Sequence, residues 1–410
     1  MDIAIIGGGA AGFFAAITCA EANPACRVTI FERGKSVLEK VRVSGGGRCN
    51  VTHACFDARE LVKFYPRGSR ELLGPFMQFG PEQTVEWFAR RGVALKTEAD
   101  GRMFPTTDDS GTITACLQHA AQRARVQVRC GARVEQLRPL PGGDWQFRLT
   151  GTPEPFVFAR VMVATGSNPA MWDLLRSLGH SIVEPVPSLF TFNTKDTRLR
   201  ELAGVSVPAA ALRIPGTKLS AEGPLLVTHW GLSGPAVLRI SAWGARELQV
   251  MDYRFPLEIN FLGKANLQAA TDLLLQMKIE LAKKMTAAHA QFGLPLRLWQ
   301  SLVTAAGIAP ERRWADLDKK QIAGLAAQLT AATFQIAGKS TFKEEFVTAG
   351  GVALKEINFK NFESKIAPGL YLAGEVLDID AITGGFNFQA AWTGGWLAGQ
   401  AMALSASSPL

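Results

Sequence analysis

The sequence predicts an α/β protein whose doubly wound nucleotide-binding core is discontinuous, interrupted by an inserted β domain and a small helical insert. Three observations predict it. An apolar strand at the N-terminus runs directly into Gly-x-Gly-x-x-Gly and a helix, and short β-type runs between Gly and Pro turns fill about 189–264. A second strand–glycine–acid signature stands near the C-terminus.

The first element is Asp2-Ile3-Ala4-Ile5-Ile6, followed by Gly7-Gly8-Gly9-Ala10-Ala11-Gly12 and a helical run to about Glu21. Gly7 permits the turn, Gly9 lets the backbone approach a pyrophosphate, and Gly12 lets the helix pack on the strand. Ala10 and Ala11 open the helix, whose free N–H groups and positive dipole end suit phosphate. A second apolar run, Val28 to Phe31, ends in Glu32, twenty positions after Gly12, where a ribose-binding acid is expected, with Arg33 beside it. This is a Rossmann-like dinucleotide site.

Pro368 to Glu375 closes a short apolar strand with Gly374 and an acid. It looks like the second signature of flavoproteins with two dinucleotide-binding motifs, in which such a carboxylate accepts hydrogen bonds from the ribityl hydroxyls. FAD is therefore the expected cofactor. Gly384-Gly385-Phe386-Asn387 then opens an apolar helix whose N-terminus suits the electron-rich edge of a reduced flavin. Thr165-Gly166, after the apolar run 156–163 expected as one strand, resembles a further flavoprotein signature.

Between these, helices are expected over 81–91 and 112–123, a strand over 126–129, and a hairpin from 133–137 and 145–149 around Pro141-Gly142-Gly143-Asp144. Apolar residues return at helical spacing over 265–330 (Leu267, Leu274, Met277, Leu281). The expected domains are 1–188 and 348–410 for the cofactor, 189–264 and 331–347 for the β domain, and 265–330 for the helical insert.

The chain has 410 residues, 47% hydrophobic and 20% charged, a balance that excludes a disordered chain. No uninterrupted apolar run reaches membrane-spanning length, and a strand starting at residue 2 leaves no room for a signal peptide, so a cytoplasmic protein with no membrane partner is expected. Its six cysteines contain no C-x-x-C pair, against a zinc knuckle or a redox disulfide, and no metal is expected. The net charge of +8 favours anionic partners. Paired bases stand at Arg90-Arg91, Lys283-Lys284, Arg312-Arg313 and Lys319-Lys320.

Residues 43–53 narrow the family. Ser44-Gly45-Gly46-Gly47-Arg48-Cys49-Asn50 can lie flat against a cofactor, with Arg48 as a cation beside its phosphates. With the N-terminal glycines, Thr228-His229-Trp230-Gly231-Leu232-Ser233-Gly234-Pro235, Thr348 to Val352, and Gly374 to Asn387, the chain resembles the aminoacetone-oxidase-like, BaiN-type FAD-binding family over nearly its whole length. The resemblance implies a two-dinucleotide-binding-type FAD domain carrying an inserted β-barrel domain and a helical insert. Members have been associated with reducing unsaturated bonds in small molecules, with amine oxidation, and with uridine reduction in ribosomal RNA. Departures are His53 for the usual Asn, Arg42 near the usual Lys, and Ser167 for Gly.

The flavin supplies hydride chemistry, so the protein must position a substrate and manage one proton. Cys49 is one candidate, because the neighbouring Arg48 would lower its pKa; the alternative is a small side chain packed on the flavin. His229, at the end of a strand-like run, is the second, as an acid–base or a structural residue. His53 could act the same way, and Asp378 and Asp380 either order their loop or touch the flavin. No second Gly-x-Gly-x-x-Gly follows a strand, so NAD(P)H, if it is the donor, docks transiently. The main reading is a FAD-dependent reductase of an unsaturated bond in a small molecule. The alternative is reduction of uridine to dihydrouridine in ribosomal RNA, with RNA as partner, and the third is a non-catalytic flavin-bound redox sensor.

Overall fold

The computed structural model describes residues 1–340 and 347–404. It divides into two units, Met1–Val186 with Val347–Leu410, and Pro187–Phe346. The first is the Rossmann-like part of an α/β fold.

In the first unit, β1 (Asp2–Ile6) leads through the glycine loop into α1 (Ala10–Ala22) and on to β2 (Arg27–Phe31). Their seven-stranded sheet runs 357–358, 363–364, 370–372, 160–163, β1, β2, 127–129. The pairings of 370–372, 160–163, β1, β2 and 127–129 are parallel. Parallel strands buried on both faces need continuous apolar runs, which is why Ile3, Ala4, Ile5 and Ile30 have no exposed surface.

Two all-round apolar helices, α1 and Phe386–Leu404, are explained by each other. A Cβ on Gly395 would stand 2.6 Å from the Ala11 carbonyl, and one on Gly399 2.6 Å from that of Ala15, so the backbones touch. A helix buried on every side has no polar face to show.

The expected strand 156–163 is two strands. Phe156–Phe158 joins the hairpin Val134–Pro139/Trp145–Leu149, while Arg160–Val163 enters the main sheet. The change of sheet at Ala159 leaves no break in hydropathy, because both halves bury apolar side chains. Helices Ser69–Gln78 and Pro169–Ser177 escaped the sequence reading.

The second unit holds a seven-stranded antiparallel sheet and the helices Leu267–Glu280, Leu296–Ala305 and Lys319–Thr330. One hydrophobic core joins sheet and helices, from Phe192 and Leu257 to Leu274, Trp299 and Leu325. Ala332–Ala337 pairs with Arg254–Asn260; residues 341–346 of the expected return lie outside the described residues. Among the described residues no helix is long and apolar enough to cross a membrane.

Candidate cofactor site

The glycine loop has the geometry a pyrophosphate requires. A Cβ on Gly7 would meet the Ala164 carbonyl oxygen at 2.3 Å, and one on Gly12 the Gly7 oxygen at 2.0 Å, so neither tolerates a side chain. At Gly9, the N-cap of α1, nothing lies within 4 Å of that position. The first turn of α1 contains no acid. Ala10 is half-buried and Ala11 buried. Glu32 accepts from the Gly8 N–H at 2.8 Å and from the Gly34 N–H at 2.7 Å, which fixes the carboxylate against the loop. Arg33 is exposed beside it.

The second glycine loop leaves α2 (Glu39–Gly47), whose helical geometry ends before Ser44. Gly45, Gly46 and Gly47 all take positive φ, and the Cβ positions of Gly46 and Gly47 face open space. Ser44 anchors the turn, its hydroxyl donating to the Val41 carbonyl at 2.9 Å. Asn50 lies 3.0 Å from the Gly385 nitrogen and 3.1 Å from the Thr52 oxygen, accepting from the first and donating to the second.

Arg48 does not leave its charge free for a phosphate. Its guanidinium sits 2.7 Å from Glu98 and 3.4 Å from Asp108, and 4.0 Å above the Phe104 ring. The lowering of the Cys49 pKa expected from it does not occur. Cys49 has no exposed surface, and burial pushes its thiol up to about 12, against a small opposing hydrogen bond from Ser44. A thiol in that state is neutral and unreactive.

Gly374 and Glu375 together meet three of these segments. Glu375 Oε2 lies 2.5 Å from Lys40 Nζ on α2 and 3.6 Å from where a Gly166 Cβ would stand, and Gly374 sits against Ala11. Thr165 Oγ1 is buried without a hydrogen-bond partner, in the segment expected beside the cofactor. Open glycine cradles, an unopposed helix N-terminus, two placed carboxylates and an orphaned hydroxyl fit FAD.

At the C-terminal helix, Gly385 approaches the Thr52 carbonyl too closely for a side chain. Asn387 uses both ends of its amide on Ala381, at 2.9 and 3.2 Å, and so fixes the loop before the helix. Phe386 stacks on both His53 (4.6 Å) and Phe64 (4.5 Å), which lie 5.8 Å from each other. Burial lowers the His53 pKa, its Nε2 faces the Asp100 carbonyl at 3.1 Å, and its Nδ1 is buried without a partner. Asp380, fully buried, pairs through both oxygens with Arg67, the loop-ordering alternative.

All these residues belong to the first unit. His229 belongs to the second, exposed in the turn after the strand Ser220–Val227. Sequence reasoning missed Lys40 and Gln389. Gln389 accepts from Thr52 and Thr84 and donates to Thr393 inside the C-terminal helix. Its signal was an amide set among apolar residues, with the Thr393 hydroxyl four residues on.

The model of the HI0933-like protein Rossmann domain matches residues 1–401. The chain belongs to the HI0933-like family. A 3-dehydro-bile acid delta(4,6)-reductase of Clostridium scindens is 31% identical, with 98% of each chain covered. Ribosomal RNA dihydrouridine synthases of Escherichia coli and Haemophilus influenzae are 29% and 28% identical, over 99% and 95% of each chain. The fold is shared with a 3-ketosteroid-delta4-(5alpha)-dehydrogenase from Rhodococcus jostii at a TM-score of 0.52 and 15% identity, covering 98% of this chain and 96% of that one. The protein is a FAD-dependent oxidoreductase, as its BaiN-type resemblance implied.

Proposed function

We propose that the protein reduces a carbon–carbon double bond conjugated to a carbonyl in a small molecule. One observation carries the reading. Relatives with two different activities match this chain almost end to end, and a 3-oxo-Δ4,6 bile acid and a uridine share that one reactive feature. Reduced FAD supplies a hydride to the carbon β to the carbonyl. The protein's share is to hold the cofactor, exclude water and deliver one proton to the α carbon. Of the two expected donors, Cys49 is fully buried with its thiol pushed up to about 12, whereas His229 is exposed. His229 is therefore the proposed donor, and NAD(P)H the proposed transient reductant.

The test is NAD(P)H-driven reduction of a panel of conjugated enones by the FAD-loaded protein. A saturated product, with turnover falling by roughly two orders of magnitude in His229→Gln, supports the reading. FAD that NAD(P)H reduces but no enone reoxidises contradicts it.

The second reading, a uridine of ribosomal RNA as substrate, is favoured by where the charge lies. Residues 187–346 contain 19 Lys and Arg against 13 Asp and Glu, a net +6 of the chain's +8. Dihydrouridine lost from ribosomal RNA in cells lacking the gene, and restored by it, would make this the working reading.

A further inference from the structure

We infer that the second unit carries an RNA-docking patch built from Lys283, Lys284, Arg312 and Arg313. Two segments distant in sequence are tied side by side here. Met285 and Arg313 form an antiparallel bridge. The Thr286 N–H donates to the Arg312 carbonyl at 2.8 Å, the Trp314 N–H to that of Lys284 at 3.0 Å, and the Ala315 N–H to that of Ala282 at 3.1 Å. The two dibasic pairs are thereby brought onto one ribbon.

The ribbon rests on a buried aromatic base. Trp314 and Trp299 are buried and stacked with centroids 6.3 Å apart, and the Trp299 indole donates to the Thr286 carbonyl at 2.9 Å. All four cations are exposed. Among the described residues none of them has a carboxylate within salt-bridge distance; Arg312 donates only to the Asp316 backbone carbonyl, at 2.9 Å. Glu311 and Asp316 are the acids on the same segments, and both are exposed, so the ribbon keeps a positive excess. Lys319 and Lys320 follow at the next helix start.

Four unneutralised cations on a fixed ribbon match a phosphate backbone, with the two guanidinium forks suited to phosphate oxygens. The same unit exposes Trp230 (60%) and Trp243 (48%), flat faces of the kind on which unpaired bases stack. The choice of RNA among polyanions rests on the second functional reading, but docking is measured without turnover, so the two can fail separately.

The experiment uses the FAD-loaded full chain and a fluorescein-labelled, deproteinised fragment of ribosomal RNA. Anisotropy titrations over a salt series compare wild type, Lys283→Gln/Lys284→Gln/Arg312→Gln/Arg313→Gln, and the control Arg123→Gln/Arg125→Gln/Arg133→Gln/Arg148→Gln, which removes four exposed cations from the first unit. FAD content and thermal melting certify that each variant is folded. The ribbon variant should bind at least about tenfold more weakly, with a salt slope shallower by about 1 for each phosphate it no longer neutralises; the control should follow wild type. Equal weakening in both variants overturns the proposal, as does an unchanged ribbon variant. Binding to phosphatidylglycerol vesicles with none to RNA also overturns it. RNA docking without uridine reduction would uphold the patch and sink the second functional reading alone.

Discussion

The two units differ in how their charge is placed. In the cofactor unit the cations that face the glycine loops and the core are matched to carboxylates: Arg67 to buried Asp380, Arg91 to Glu21, Arg48 to Glu98, Lys40 to Glu375. With 25 Lys and Arg against 23 Asp and Glu, that unit is nearly neutral. The second unit leaves the Lys283–Lys284 and Arg312–Arg313 ribbon without acid partners among the described residues. The difference teaches where each kind of recognition lives. A site that holds one cofactor uses backbone dipoles and placed carboxylates and needs little net charge. A surface that meets a polyanion keeps its cations in water, where they cost little and steer association.

The largest effect that could break this comparison is at Gly12. Gly12→Ala places a methyl 2.0 Å from the Gly7 oxygen, so α1 must shift off β1. Purified protein should contain no measurable FAD and lose roughly 1–3 kcal/mol or more of stability. Full FAD occupancy would mean that the glycine loop is not the phosphate site.

Next comes the buried ion pair. Arg67→Ala leaves Asp380 charged with no exposed surface, a change that costs about 3–5 kcal/mol. Arg67→Met/Asp380→Asn should recover most of that loss in denaturant titration. Equal loss in the double variant would show that the cost does not come from the charge left buried.

A smaller effect has a pH signature. Buried His180 lies 2.9 Å from Glu356 Oε2 and 3.0 Å from Ser364 Oγ, and the Ser181 N–H donates to Glu356 at 3.0 Å. Burial pushes the Glu356 carboxyl up, but the hydrogen bonds from Ser181 and His180 outweigh it and hold the pKa below the usual value. A lowered folded pKa stabilises the fold above the unfolded value, and the contribution is lost as pH falls through the folded one. Melting temperature should therefore drop more steeply on acidification in wild type than in Glu356→Gln; parallel profiles would remove Glu356 from the account.

The smallest effect is at Lys40. Its side chain is 53% exposed, so the pair with Glu375 is worth about 0–1 kcal/mol. Lys40→Met should weaken FAD binding by no more than about fivefold, read by flavin fluorescence on dilution. A loss of a hundredfold or more would make Lys40 a principal holder of the cofactor.

What was legible in the sequence follows from distance along the chain. Gly7, Gly9, Gly12 and Glu32 are read from one βαβ stretch because backbone geometry itself selects them, and Gly374-Glu375 for the same reason. Lys40–Glu375, Arg67–Asp380 and His180–Glu356 join residues more than 170 positions apart, and nothing local marks them. Arg48 shows the opposite failure. Its sequence neighbours suggested a phosphate and a softened thiol, but Glu98, Asp108 and the Phe104 ring, all brought by folding, claim the guanidinium. Burial, invisible in a list of neighbours, decides the state of Cys49.

The central claim is tested most directly by a single anaerobic turnover. The FAD-loaded protein is reduced, freed of reductant and mixed with a 4,6-dien-3-one steroid or, separately, with deproteinised ribosomal RNA. The steroid is expected to reoxidise the flavin with one equivalent of product saturated at the bond conjugated to the carbonyl; reoxidation by the RNA alone would replace the small-molecule reading with the second one. Flavin left reduced by both, yet promptly reoxidised by an acceptor lacking such a bond, would contradict the central claim.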